Sequence, residues 1–346
     1  MDWNVALYLG QNGVTLGAVY ALAALALVLV FLATRVVFLA QGELMTFGAM
    51  ALVALHAGVV PRLVWLVVVL GLMATALDAW QALRLRQAAR LPAIAMLNLA
   101  WPLGALAAVY LLPLHALAYG WQIALAVFVT VPLGPLLYRL IYQPVAHASM
   151  LTLLLLSVAL HVALTSLALY LFGPEGVKVV PFTDGSFQLA GLPVEAQTLW
   201  IIGLSVLLSI GLFVFFRFSI YGKALRAAAV SHTGAQLVGI STEFAGKTAF
   251  MLAAFIGALS GILIASTTII YYDSGFVIGL KGLVAAIVGG LGSYPLAVAG
   301  SLFVGLTESF SSFWASAFKD VIVFGMIIPV LMWRSLGTRH IEEEDE

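Results

Sequence analysis

Apolar runs of close to 20 residues recur along this chain, and no other property of the sequence restricts its fold so strongly. Coiled as a helix at about 1.5 Å per residue, such a run matches the roughly 30 Å hydrocarbon core of a bilayer. The candidate spans are Gly13 to Ala33, Val36 to His56, Leu63 to Leu83, Pro92 to Leu112, Trp121 to Tyr138, Leu151 to Phe172, Leu199 to Phe216, Thr248 to Tyr271, Leu283 to Leu306 and Val321 to Trp333. Lipid-exposed backbone must satisfy its own hydrogen bonds, and the ten-residue alternating strands of a barrel are missing. The expectation is an all-α polytopic membrane protein with about nine to ten transmembrane helices. Its composition, 63% hydrophobic and 9% charged, agrees, since soluble domains run at roughly 45–50% and 25%.

The chain reads as a single transmembrane domain over residues 1–346, because its longest polar stretches reach only about 30 residues. With no cysteine, disulfides and thiolate metal sites are excluded. A net charge of zero and the lack of a basic block give nucleic acid nothing to bind. Met1 to Gln11 lacks the positive region of a cleaved signal, so the first apolar run is expected to stay in the mature protein.

Orientation follows from Lys and Arg, which favour short cytoplasmic loops. Arg84, Arg86 and Arg90 mark one such loop, Arg139 a second and Arg217 to Lys247 a third, and simple alternation also places Arg35 inside. Ala57 to Arg62, Pro113 to Gly120 and residues 173–198 then face outward; the last, with Glu175, Asp184 and Glu195 against Lys178, reads as an external cap or docking surface. Ten full spans would leave Arg334 and Arg339 outside, so one segment is expected to enter and leave on the same side, which keeps the C-terminus cytoplasmic. Ser274 to Leu306 is the best candidate, because Gly289, Gly290, Gly292 and Pro295 fall within seven residues and favour a broken or re-entrant segment. Two tight spans around a short turn are the alternative. Non-helical backbone at membrane depth is tolerated only in protein or along a cavity, which makes Gly289, Gly290, Gly292 and Ser293 candidates for a translocation path. The acidic tail Ile341 to Glu346 reads as solvated.

Few residues suggest chemistry. Gly246-Lys247-Thr248 has the ending of a phosphate-binding loop, but Ser241 stands where the earlier glycine belongs and a membrane helix follows directly. Any nucleotide must therefore bind elsewhere than in this chain. Glu43, with Gln41 and Gly42, lies in the second apolar run, where an ionisable group needs a partner or a wet cavity. A structural hydrogen bond across helices, a role in the path, and a position near the interface all remain open for it. His161, four residues before Thr165, reads as an interhelical hydrogen bond. No His, Asp and Glu cluster has the spacing of metal ligands.

Three stretches carry a resemblance. Tyr221 to Ile240 reads Y-G-K-A-L-R-A-A-A-V-S-H-T-G-A-Q-L-V-G-I; Gly282 to Gly305 contains A-A-I-V-G-G-L-G-S-Y-P; Gly13 to Gly48 contains T-L-G-A-V-Y-A-L-A-A-L-A-L and F-L-A-Q-G-E-L-M-T-F-G-A. Together, and with weaker similarity around Arg139 to Pro144, they resemble permease subunits of branched-chain amino-acid ABC importers, in family order. The family usually has a histidine where Gln41 stands, and acidic residues where Ser231 and His232 stand. Residues 62–112 look like a helical pair added to the family's usual set.

The resemblance implies a multi-pass permease of the bacterial inner membrane, without catalytic activity of its own. It would pair with a second permease and with two ATPase subunits that bind ATP and Mg, and receive solute from a periplasmic binding protein. Residues 217–247 would be the cytoplasmic coupling loop, with Gly222, Ala224, Leu225, Arg226, Ala227, Ala235, Leu237, Gly239 and Ile240 at the ATPase contact. Branched-chain or other small apolar amino acids are the implied solutes, with urea or short amides as alternatives. A secondary transporter or channel working alone is the rival class, disfavoured by the lack of repeated intramembrane acids and bases.

Overall fold

The computed structural model describes residues 3–337 except 184, 190 and 191; Asp184, Thr338, Arg339 and the tail Ile341 to Glu346 lie outside the described residues. In chain order the helices are α1 (Trp3–Thr34), α2 (Gln41–His56), α3 (Leu63–Arg84), α4 (Leu91–Leu111), α5 (Tyr119–Thr130), α6 (Leu133–Leu137) and α7 (Met150–Phe172). After a two-stranded hairpin of β1 (Ser186–Leu189) and β2 (Leu192–Glu195) come α8 (Ala196–Phe218), α9 (Ile220–Val230), α10 (His232–Leu237) and α11 (Thr242–Ala265). The chain continues with α12 (Ser274–Gly289), α13 (Tyr294–Trp314), α14 (Lys319–Gly325) and α15 (Ile327–Gly337). Among the described residues nine helical segments are long and apolar enough to cross a membrane.

The long helix α1 is the axis, with every side chain from Ala18 to Val30 buried. Lipid tails are as apolar as leucine, so helices in a membrane associate through close packing and polar contacts more than through hydrophobic burial. Small residues supply that packing here. Gly13 and Gly17 of α1 lie against the backbone of Gly305, Leu306 and Leu302 on the antiparallel α13, and Gly257 and Gly261 of α11 receive Gln41, Leu44 and Met45 of α2. In contrast, α7, α8 and the terminal α14–α15 pair present mostly exposed apolar side chains, including Leu155, Leu207 and Val321.

The two ends of the bundle differ. At the basic end, Arg35 follows α1 and donates to Ala229 O of α9 at 3.4 Å, and α9 and α10 lie here as short helices. At the other end, the hairpin end, Val177 pairs with Ile270 and Val179 N donates to Ala265 O, so the stretch Val177 to Val179 covers the exit of α11.

Three expected spans are corrected. The run from Val36 to His56 is helical only from Gln41, because residues 36–40 are non-helical and still buried, with Val36, Phe38 and Ala40 at 2% exposure or less. The run from Thr248 to Tyr271 stops being helical at Ala265. The run from Leu283 to Leu306 is two antiparallel helices, broken at residues 290–293, where Gly290 takes the left-handed φ of 92° that favours glycine. The break falls at the glycines, but the turn sits at the basic end, where Tyr294 stacks on Phe216 of α8 at 4.8 Å. The segment thus returns to the hairpin end as a full helical pair, not as a loop that stops half-way.

Helices α3 and α4 pack as an antiparallel pair at the edge, with Gly71 against Pro102 and Asn98. Asp78 of α3 joins that pair to the bundle: it accepts from Asn98 Nδ2 at 2.8 Å and from Arg139 Nε at 2.7 Å. Arg139 belongs to a π-helical turn, Tyr138–Tyr142, that continues α6.

Candidate functional site

A non-helical stretch precedes each of the short helices α2 and α12: residues 36–40 lie deep in the bundle, whereas residues 266–273 are mostly exposed at the hairpin end. The two short helices begin against each other. A Cβ on Gly42 would collide with the carbonyl of Gly275, a Cβ on Gly275 would collide with that of Gly42, and Gly275 N donates to Thr46 Oγ1 at 3.1 Å. Two helix N-termini, each with the partial positive charge of its helix dipole, therefore face one region of the interior. A helix, then an unwound stretch, then a half-helix occurs twice in opposite senses: α1 to α2 entering from the basic end, α11 to α12 entering from the hairpin end.

Glu43 lies in the first turn of α2, where a carboxylate complements the dipole. Its residue is 1% exposed, which excludes the interfacial position. Oε1 meets Nδ1 of His161 at 2.6 Å and accepts from Thr165 Oγ1 at 3.3 Å. His161 is thus the interhelical bond read from the sequence, with Glu43 as the partner that the sequence did not identify. Phe276, in the first turn of α12, stacks on the His161 ring at 3.8 Å and 15°. Gln41 points the other way, donating to Ala253 O of α11 at 3.0 Å. Below them Phe38 packs between Tyr142 and Phe250, at 6.0 and 4.8 Å, above a cavity of about 460 Å³ at the basic end lined by Arg35, Val36, Gln143, His147 and Glu243.

Gly289, Gly290, Gly292 and Ser293 are not brought to this place. They follow Gly275 by at least 14 helical residues, about 21 Å of rise, and the reason given for them, a break at membrane depth, applies to residues 36–40 instead. Gly289 and Gly300 instead let α12 and α13 touch.

The predicted coupling residues divide by face. Gly222 and Leu225 turn inward: Gly222 lies on the backbone of Phe215 and Phe216, and Leu225 is 2% exposed near Leu29, Ala33 and Tyr294. Ala235 is also buried, Ala224, Ala227 and Ile240 are half-buried, and Arg226 and Leu237 are exposed. The outward face adds Lys223 and Val230, which the i, i+3, i+7 spacing from Lys223 would have found, and Val238 at the end of α10. The element is two helices. Ser231 caps the second, accepting from Gly234 N at 3.0 Å, so the departure from the family's acidic pattern has a local role. Gly239, at φ 82°, closes α10: its N–H donates to Gln236 O at 3.0 Å and that of Ile240 to Ala235 O at 2.9 Å.

Reading from the sequence also missed Lys281 of α12 and Glu308 of α13, which pair at 2.5 Å with both side chains 7% exposed. Tyr20 of α1 donates to Glu308 Oε2 at 2.6 Å, and Lys281 reaches Asp320 of α14 at 2.9 Å. Lone charges inside apolar runs were the available signal. Gly246-Lys247-Thr248 lies inside helix α11, with Gly246 against the Tyr138 ring and Lys247 paired to Glu243 at 2.8 Å, so its backbone forms no phosphate cradle. Among the described residues no three His, Asp or Glu side chains converge as metal ligands.

A model of the family described as branched-chain amino acid transport system / permease component matches residues 93–331. The chain belongs to that family. It is 27% identical over 336 residues to the high-affinity branched-chain amino acid transport system permease protein LivH of Escherichia coli K12, covering 94% of this chain and 92% of that one. The protein BraD of Pseudomonas aeruginosa, named for the same kind of permease, is 28% identical over 222 residues, which is 62% of this chain and 72% of its own. A protein of Methanocaldococcus jannaschii named a probable permease of the same transport is 30% identical over 129 residues, 37% of this chain and 41% of its own. No solved structure matches. As a family member the chain is a multi-pass membrane permease subunit.

Proposed function

We propose that this permease is half of the membrane pore of an ABC importer in the bacterial inner membrane, moving branched-chain or similar apolar amino acids inward on ATP hydrolysed by partner subunits. The observation that carries the reading is the α9–α10 element. It lies at the basic end, is keyed into α1 and α8 through Gly222 and Leu225, and leaves Val230, Leu237 and Val238 exposed at 73–85% beside Lys223 and Arg226. An apolar patch of that kind off the bundle calls for a protein partner. Because α9 rests on the ends of α1 and α8, and α10 on the start of α11, closure of two ATPases would move the helices that precede both unwound stretches, a rigid-body transition of two states. The path we assign runs past Gln41, Gly42 and Glu43 to the cavity beneath, closed here by the Gly42–Gly275 contact and by Phe38 between Tyr142 and Phe250. A second permease, two ATPases carrying ATP and Mg, and a periplasmic binding protein complete the machine; nucleotide has no place in this chain.

Purification of the tagged chain from its native membrane tests this. We expect a second permease and an ATPase to copurify, and the Val230→Asp/Leu237→Asp variant to lose the ATPase while keeping the second permease. Recovery of the chain free of any ATPase would contradict the reading.

A further inference from the structure

We propose that Glu43 is where the primary ammonium group of the permeating solute is held during passage. The inference rests on the permease reading above and deepens it by choosing an aminated solute over urea or an amide. Glu43 is 1% exposed, and while Oε1 has two partners, Oε2 has none among the described residues. A buried acceptor without a partner is costly, so in a native protein it marks a place that something else fills for part of the cycle.

The surroundings specify what. The two helix N-termini that meet at Gly42 and Gly275 complement a carboxylate at this place, and no Lys or Arg stands beside Glu43 where a mobile cation would sit. The ring of Phe276, which His161 covers at 3.8 Å, offers an aromatic face beside Glu43 once that cover is displaced. A carboxylate with an aromatic face suits an ammonium group, which is attracted by both. Urea and simple amides carry no charge and would use neither.

Access requires α7 to move. His161 and Thr165 are the cover over Glu43, and α7 is held by few other contacts, with Leu155, Val158 and Val162 of the same helix exposed. Displacement of α7 opens Oε2 and breaks the His161 bond together, so the solute's ammonium replaces the imidazole.

The test uses the complete complex in proteoliposomes with saturating leucine-loaded binding protein, reading leucine uptake per assembled complex. Glu43→Gln keeps length and the ability to accept from His161 but lacks the charge; Glu43→Asp keeps the charge but falls short of His161. The inference expects uptake to fall at least about 10-fold in the Gln variant and to stay within about 3-fold of wild type in the Asp variant. The reverse order identifies a merely structural hydrogen bond and overturns it, as does equal uptake in both. Replacing Na⁺ and K⁺ by choline should leave uptake intact; a requirement for either ion would make Glu43 a co-ion site instead. Should both variants fail to assemble, wild-type complex labelled at Glu43 with dicyclohexylcarbodiimide decides: isoamylamine should protect and 4-methylpentanoate should not, and no difference between them overturns the inference. If wild-type complex imports no leucine on ATP, the importer reading itself fails; wild-type import matched by the Gln variant sinks this inference alone.

Discussion

Gly42 and Gly104 show how differently two glycines in apolar helices can matter. A side chain at Gly42 meets the backbone of Gly275, which cannot step aside, whereas a Cβ on Gly104 meets nothing within 4 Å. Gly42→Val is therefore expected to cost more than the about 1–3 kcal/mol of ordinary overpacking, and Gly104→Ala to stabilise by about 0.4–1 kcal/mol. Thermal unfolding in detergent, followed by size exclusion, reads both. At the same scale, Lys281→Met leaves Glu308 buried beside Tyr20 without its cation and should cost about 3–5 kcal/mol, with much of the loss recovered when Glu308→Leu is added. Such single charges were legible in the sequence, and Glu43 was found that way. Their partners were not: His161 is 118 positions away, and nothing in one sequence links the two.

Among the elements, the amphipathic α9 could be read directly, because a polar loop shows its periodicity against a quiet background. Residues 36–40 could not. V-V-F-L-A has the hydropathy of the helices around it, and hydropathy reports burial, which an unwound stretch inside the bundle shares with a helix. The turn at 290–293 was legible as a break, since its glycines and Pro295 act locally, but its depth was not, because depth is set by where α12 begins. For the coupling element, Gly239→Ala forces a side chain into φ 82° and should destabilise the end of α10 by about 1–2 kcal/mol. In the assembled importer this variant is expected to retain ATP hydrolysis and to import less leucine per ATP. Equal stoichiometry in variant and wild type would remove α10 from the coupling route.

For the whole molecule, the number of apolar runs and the basic loops were enough to indicate a polytopic helical protein, and the packing of α13 on α1, of α2 on α11 and of α12 on α1 and α13 supplied the architecture that one sequence does not contain. Orientation remains to be measured, and the chain's lack of cysteine makes it accessible. Ser316→Cys at the hairpin end should react with an impermeant maleimide on intact cells, and Ala88→Cys at the basic end only after permeabilisation; both positions are exposed. The opposite pattern would place α9 and α10 outside, beyond the reach of ATP. The most direct test of the central claim, that this permease borrows its energy through α9–α10, is leucine uptake into proteoliposomes by the purified chain alone and by the chain with its second permease, ATPases and binding protein. The account predicts no uptake by the chain alone and ATP-dependent uptake by the complete set; uptake by the chain alone, without ATP, would contradict it.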